Sequence, residues 1–408
     1  SDATVYSTGI EDGAVTNSKI ASGIATSKLT GALPAIDGSA LTGVGVTPIT
    51  TSASDPLITT NPSGGLGTIW ANSTSGEMYV LTDATTDANV WSNIGGGYGG
   101  YGKSFGGRGP GTVAGYTAGG YLSPGTFHKD TVDKFSIPNP SGTATDHANL
   151  TNGASTGAGC CSATDGYHVG GQVKGYGTNP PDNSYWTKIQ KYNFATANTV
   201  SQPGDISVGH YGSAGQSSAT DGYISGGVAT GGNISRIEKF SFSDETSSLD
   251  VGNIVVARRI SNSAHSSNTH GFVSTGENPT ANHIDKFSFE SSSNAVDHGD
   301  LTVARYSSAG ISSETHGYVG GGQTSAPVYL DTLDRFSFSS GVGASGVGTL
   351  SENRASGAGV YGSTKGYVSG AYQGTKGRIE EFAYASSVNA TNVATLFDAR
   401  GYSTGTQF

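Results

Sequence analysis

Cysteine, methionine, charge and long apolar runs are all scarce in this chain. The two cysteines, Cys160 and Cys161, are chain neighbours and cannot staple distant segments together, so a disulfide framework is excluded. With one methionine and only 13% charged residues, the chain is short of the Glu, Lys and Met that favour helices. So low a charge also argues against ordinary charged disorder. No stretch of about 18 apolar residues exists, which excludes a spanning helix and membrane insertion by that route. The opening residues "SDATVYSTGI" lack the basic stretch and apolar block of a signal peptide. Against 31 Asp plus Glu there are 21 Lys plus Arg and no basic run, so no nucleic-acid partner is expected.

Glycine is what the chain has in excess, 65 of 408 residues, and with abundant Ser and Thr it predicts short strands joined by tight turns: an all-β fold. A search for self-similarity finds a Gly-aromatic unit six times: "GYTAGG" from 115, "GYHVGG" from 166, "GYISGG" from 222, "GFVSTG" from 271, "GYVGGG" from 317 and "GYVSGA" from 366. Each is followed, after a loop of variable length, by an alternating strand: "VDKFSI" from 132, "IQKYNF" from 189, "IEKFSF" from 237, "IDKFSF" from 284, "LDRFSF" from 333 and "IEEFAY" from 379. A further strand of the type "GDLTVARYSSAGISS", 299 to 313, precedes the unit from its second copy onward. Four short strands per period of about 50 residues is the pattern of a propeller blade, a small twisted sheet that buries its faces only against neighbours.

These motifs resemble the kelch repeat over roughly residues 103 to 408, with Phe-x-Phe or Tyr-x-Phe where that family usually carries a Tyr and Trp pair. The resemblance implies a six-bladed kelch-like β-propeller over residues 99–408. It says nothing about activity, since the fold hosts unrelated functions.

Internal copies also suggest charge pairs. Twelve residues before each unit stand Ala154, His210, Arg259, Arg305 and Arg354, while the acid position of the aromatic strand holds Gln190, Glu238, Asp285, Asp334 and Glu380. A basic group is matched by an acid, and the copy with Ala carries Gln. Asp133 of the first copy has two candidate partners, Lys103 and Arg400. The second is favoured because "ARGYSTGTQF" resembles "ARYSSAGISS" and would supply the strand that completes blade one. The same cations could instead ring a channel mouth and grip an anionic sugar.

Residues 1–46 carry a Ser-x-apolar-x-x-Gly rhythm, "SKIASGI", "SKLTGAL" and "SALTGVG", that exposes isolated Ile and Leu in a single chain. This resembles the shaft-like segments of bacteriophage tail fibres, which implies a fibrous assembly segment, a likeness to virion appendages and self-association as a homotrimer. Residues 47–98 read as a small three-stranded β module with Trp70, Tyr79 and Trp91 as its core, and "GGGYGGYGKSFGG", 95–107, as the linker into the propeller.

The motifs of catalysis are missing. "GYVGGG" is followed by no Gly-Lys-Ser or Gly-Lys-Thr and opens no helix, and its recurrence makes it structural. Nine His are scattered without ligand spacing, so no metal, no cofactor and no catalytic residue is expected. Loops after the glycine doublets vary most, and their aromatics are the candidate ligand-binding residues: Tyr176, Tyr185 and Trp186 in the longest, then Phe127, His128, Tyr329 and Tyr372. The expectation is a non-enzymatic virion surface protein that meets other virion proteins and a host-surface glycan or receptor. A virion decoration protein and a polysaccharide-degrading enzyme are the alternatives.

Overall fold

The computed structural model describes residues 49–74, 77–95, 113–122, 127–137, 139–173, 184–245, 247–384 and 389–408. Segment 1–46, Tyr176, Lys103 and all but the first residue of linker 95–107 lie outside the described residues. The chain divides into two compact units, 1–100 and 101–408.

In the first unit, three antiparallel strands, Ile69–Asn72, Met78–Asp83 and Val90–Gly95, are joined by a fourth, Ile49–Ser52, which runs parallel to Ile69–Asn72. The sequence reading had three strands, because the exposed "ITTS" carries no clear alternation. Trp70 and Trp91 meet edge to face at 5.9 Å. Both are half-buried, as is Tyr79, and the large apolar side chain that is fully enclosed is Leu81. Leu57, Ile58 and Leu66 each keep about 65% of their surface exposed, so the described residues of this unit bury little apolar area among themselves.

The second unit is all-β among the described residues, built on six four-stranded antiparallel sheets in meander order. From the innermost strand outward, the fourth sheet runs Ala264–Ser266, His270–Gly276, Ala281–Ser288 and Val296–Arg305, and the fifth Ala309–Ser312, His316–Gly320, Thr332–Ser337 and Ser345–Thr349. In the first sheet the innermost place belongs to Thr404–Gln407, which pairs antiparallel with Ala114–Ala118 ahead of Thr131–Ser136 and Thr145–Asn149. The innermost strands of the second, third and sixth sheets are Ala158–Cys161, Ala214–Ser217 and Ala358–Tyr361. Innermost strands of consecutive sheets pack side by side, and the sixth packs on the first. The apolar core is divided accordingly into six clusters, each drawn from two neighbouring sheets. This is consistent with a β-propeller-like fold.

The repeat can be explained residue by residue. The first glycine of each unit lies under the first aromatic of the following strand: a Cβ on Gly317 would come within 2.3 Å of the Phe336 ring, and one on Gly166 within 2.4 Å of Tyr192. The cross-strand ring takes the place of the missing side chain. The second aromatic of Phe-x-Phe reaches the preceding sheet, where Phe338 stacks on Phe272 at 4.7 Å and Tyr384 on Tyr318 at 5.0 Å. One aromatic therefore covers its own sheet and the next locks two sheets together. The doublet ends the strand in left-handed backbone, φ +65 at Gly321 and +109 at Gly322. In the fourth sheet Thr275 adopts φ +68 in that place.

Innermost strands approach one another where the second residue is glycine. A Cβ on Gly215 would stand 2.2 Å from the Gly159 carbonyl oxygen. Further along these strands, the amides of Cys161, Ser217 and Ser266 donate to the hydroxyls of Ser217, Ser266 and Ser312 at 3.0 to 3.1 Å, a hydrogen-bond chain running from sheet to sheet. Between the strands lies a cavity of about 50 Å³ lined by these glycines and serines and by Asn262.

Candidate functional site

One end of every sheet in the second unit carries both the loop after the glycine doublet and the connection into the next innermost strand, because antiparallel pairing brings those ends together. The charge pairs lie just beneath it. Arg305 is bonded to Asp334, Arg354 Nη2 to Glu380 Oε1 at 2.7 Å and Arg400 Nη1 to Asp133 Oδ1 at 2.9 Å, all with side chains at most 1% exposed. Asp133 is therefore served by Arg400. Burial pushes its carboxyl above the usual range, opposed by the Arg400 charge.

One pair departs from the sequence reading. The cation on Asp285 is Arg258, Nη1 to Oδ2 at 2.9 Å, and not Arg259. The reason is an inserted residue. Between the buried arginine and the first glycine of the unit stand residues 306–316 in the fifth copy and 259–270, one more, in the fourth, and the addition falls before Ser261: the Ser261 N–H donates to the Gly212 carbonyl as the Gly212 N–H does to that of Thr156, and Ser263 bonds Ser274 where Ala309 pairs with Gly320. Counting back from Gly271 therefore lands one position late. Nor do His210 and Glu238 bond each other: His210 Nδ1 meets Ser213 Oγ at 2.6 Å, and Glu238 takes Ser248 Oγ and lies 3.4 Å from Arg236 Nε.

All six acid-position residues share another task. Asp133, Gln190, Glu238, Asp285, Asp334 and Glu380 each accept the backbone N–H of the connection entering their own sheet, from Asp398, Asn152, Ser207, Val255, Thr302 and Ser351 at 2.9 to 3.2 Å. A neutral acceptor meets that need, which is why Gln190 serves where the cation is replaced by Ala154.

Above this layer the end of the sheets is tyrosine-rich. Because Arg258 fills the buried place, Arg259 stands at the surface, where neighbouring copies carry Tyr211 and Tyr306. Its guanidinium lies 5.2 Å from the centre of the Tyr211 ring, its Nη1 2.9 Å from Glu277 Oε2 and its Nε 3.2 Å from Ser261 Oγ. Tyr211 packs on Tyr185 at 5.2 Å, and Tyr402 on Tyr372 at 5.1 Å. Burial raises the Tyr306 hydroxyl, with Glu277 and Tyr329 adding to the shift and Arg259 opposing it. Burial likewise raises Tyr402, lowered in turn by Ser356 and Arg259 and raised by Tyr372 and Glu277. The Arg259–Glu277 pair thus lies against Tyr211 and acts through its charges on Tyr306 and Tyr402. Below it, Asn262 donates from Nδ2 to the Ser403 carbonyl at 2.7 Å, joining the connection into the fourth sheet to the residue that precedes the strand completing the first.

Of the residues expected to bind, Tyr185, Tyr329 and Tyr372 belong to this belt. Trp186 is half-buried, its N–H bonded to the Gly171 carbonyl. His128 stands 2.9 Å from Ser155 Oγ and 5.7 Å from the Tyr121 ring, and Phe127 is in the strand pairing with Tyr121–Leu122. Tyr211, Glu277, Tyr306 and Tyr402 were not among the expected ligand-binding residues, and Arg259 was expected in a charge pair, with a sugar-gripping ring of cations as the alternative. A signal existed in the residue after three of the five basic positions, Tyr211, Tyr306 and the second arginine of "VARRIS", while Arg354 and Arg400 are followed by Ala355 and Gly401. Among the described residues no group of three or more His, Cys, Asp or Glu is placed to hold a metal ion. Cys160 and Cys161 are both buried, with Cys160 donating to the Tyr223 carbonyl. No protein-family model and no curated protein matches this chain.

Proposed function

We propose that residues 113–408 form a six-bladed kelch-like propeller closed by the strand Thr404–Gln407, and that the chain is a virion fibre or appendage protein using the tyrosine-rich end of that propeller to recognise a host-surface glycan or protein. The observation that carries this reading is the half-buried belt of Tyr185, Tyr211, Tyr306, Tyr329, Tyr372 and Tyr402 around one ion pair, on the end where loops vary. Tyrosine gives large contact area with little conformational entropy to lose, and beside Ser, Gly and Asn it makes a recognition surface. The protein acts by binding rather than catalysis: Asp133, Asp285, Asp334 and Glu380 are fully buried and committed to loop amides and arginines. On the virion it associates as a homotrimer and with other virion proteins through residues 1–98, where the exposed Leu57, Ile58 and Leu66 favour such packing. Several heads on one particle then add their contacts by avidity.

The test is adsorption of the purified chain to susceptible cells. Tyr211→Ala combined with Tyr306→Ala is expected to abolish it while leaving the melting temperature near that of the unsubstituted chain. Unchanged adsorption would refute the reading. A decoration role, in which this end packs on another virion protein, is favoured by the exposed Val255, Val303, Val328 and Phe397, 39 to 57% exposed, and predicts that virion assembly fails in their polar variants.

A further inference from the structure

We infer that the Arg259–Glu277 centre of the tyrosine belt takes an uncharged, hydroxyl-rich sugar ring rather than an acidic one; this rests on the recognition reading above. The charge balance decides it. Arg259 is the basic group at the middle of the belt, and its charge is already met by Glu277 at 2.9 Å. At the same end Lys129, Lys188, Arg236 and Arg378 also stand within 4.0 Å of a carboxylate, on Asp398, Asp205, Asp250 and Glu352. An acidic sugar would have to displace one of these partners and approach a chain of net charge -10. A neutral ring meets neither cost.

The same pair offers a neutral sugar what it needs. A guanidinium is a fork of donors and a carboxylate is an acceptor, so side by side they match two adjacent hydroxyls, one accepting and one donating. Arg259 and Glu277 keep 22% and 24% of their side-chain surface exposed, enough to be reached from solvent. The guanidinium is held flat by Tyr211 and Ser261, so little freedom is lost on binding. At the same end Tyr306 and Tyr402, both half-buried, supply ring faces for the apolar side of a hexose. The extra residue between Arg258 and Ser261 is the origin of the arrangement, because without it the second arginine of "VARRIS" would fall in the buried position and leave an uncharged site.

The experiment uses the full chain in affinity electrophoresis against dextran, a β-galactan and a mannan as neutral probes, and polygalacturonate and alginate as acidic ones. Retardation by at least one neutral polymer is expected, with an affinity that stays the same from low to high salt. Arg259→Ala and Glu277→Gln should each weaken it about tenfold or more, the loss typical of a site built around hydroxyl hydrogen bonds, at an unchanged melting temperature. Two results overturn the inference while leaving recognition intact. One is retardation by the polyuronates alone, strengthened by Glu277→Gln. The other is no retardation by any polymer while cell adsorption is still lost in Tyr211→Ala with Tyr306→Ala, which identifies a protein partner. Adsorption indifferent to those tyrosines would overturn the recognition reading itself.

Discussion

Arg258 and Arg259 are adjacent, carry the same charge, and do different things. Arg258 is fully buried, with Nε donating to the Thr275 carbonyl at 2.7 Å and Nη1 to Asp285. Truncating it leaves a buried carboxylate without its cation, which costs about 3–5 kcal/mol. Arg259 makes a surface pair, and such pairs contribute about 0–1 kcal/mol. Arg258→Ala should therefore shift the denaturant midpoint strongly and Arg259→Ala barely move it; equal shifts would show that the assignment of the two is wrong. Counting along the sequence chose Arg259 because it assumes equal lengths in every copy, and the extra residue between Arg258 and Ser261 breaks that assumption without disturbing the hydrophobic pattern. The acids Asp285, Asp334 and Glu380 were legible, since the aromatic strand fixes their place two residues before Phe287, Phe336 and Phe382. Their shared role, holding the N–H of the incoming connection, was not, because a backbone donor leaves no mark in a sequence.

The strand Thr404–Gln407 shows how much one element can hold. Besides its ladder with Ala114–Ala118, Thr406 Oγ1 meets the buried Tyr192 hydroxyl at 2.7 Å, Thr404 Oγ1 meets His168 Nδ1 at 3.1 Å, and Gln407 donates to Cys161 Sγ at 3.3 Å. It thus belongs to the first sheet by its backbone and grips the second by its side chains. Removing residues 404–408 should strip amide-exchange protection from Ala114–Ala118 and Asp165–Val169 first, with Asp221–Ser225 of the third sheet losing less. Uniform loss across the three segments would contradict that order. The element was readable because "ARGYSTGTQF" repeats an internal copy. By contrast Ile49–Ser52 and the two-residue strands Gln172–Val173 and Val228–Ala229 went unread, being too short or too exposed to show a period.

At the largest scale the tyrosine-rich end could not be read as a site, because Tyr211, Arg259, Tyr306 and Tyr402 come from four different connections and only the packing of the sheets on one another brings that end together. The same closure buries three histidines, and this sets the response to pH. His168, His210 and His265 are at most 1% exposed, and desolvation pushes each imidazole down to about 4, opposed at His210 by Glu238 and at His265 by a bond to the Ile311 carbonyl. In the unfolded chain the same groups titrate near 6.5, so between about 6.5 and 4 the unfolded state binds more protons. Stability is therefore full above about 6.5 and falls as acid is added, by as much as about 4 kcal/mol per pH unit when all three take part. Asp133 works in the opposite sense, since a carboxyl raised by burial takes up a proton more readily in the folded chain. One such group offsets part of the loss, so the net direction remains destabilising. Denaturant midpoints measured from pH 7 to pH 4 should fall steeply in the full chain and less steeply in His168→Gln, which removes one titrating group from the closing contact. An acid profile that is flat, or unaltered by that substitution, would show that the buried imidazoles do not govern it.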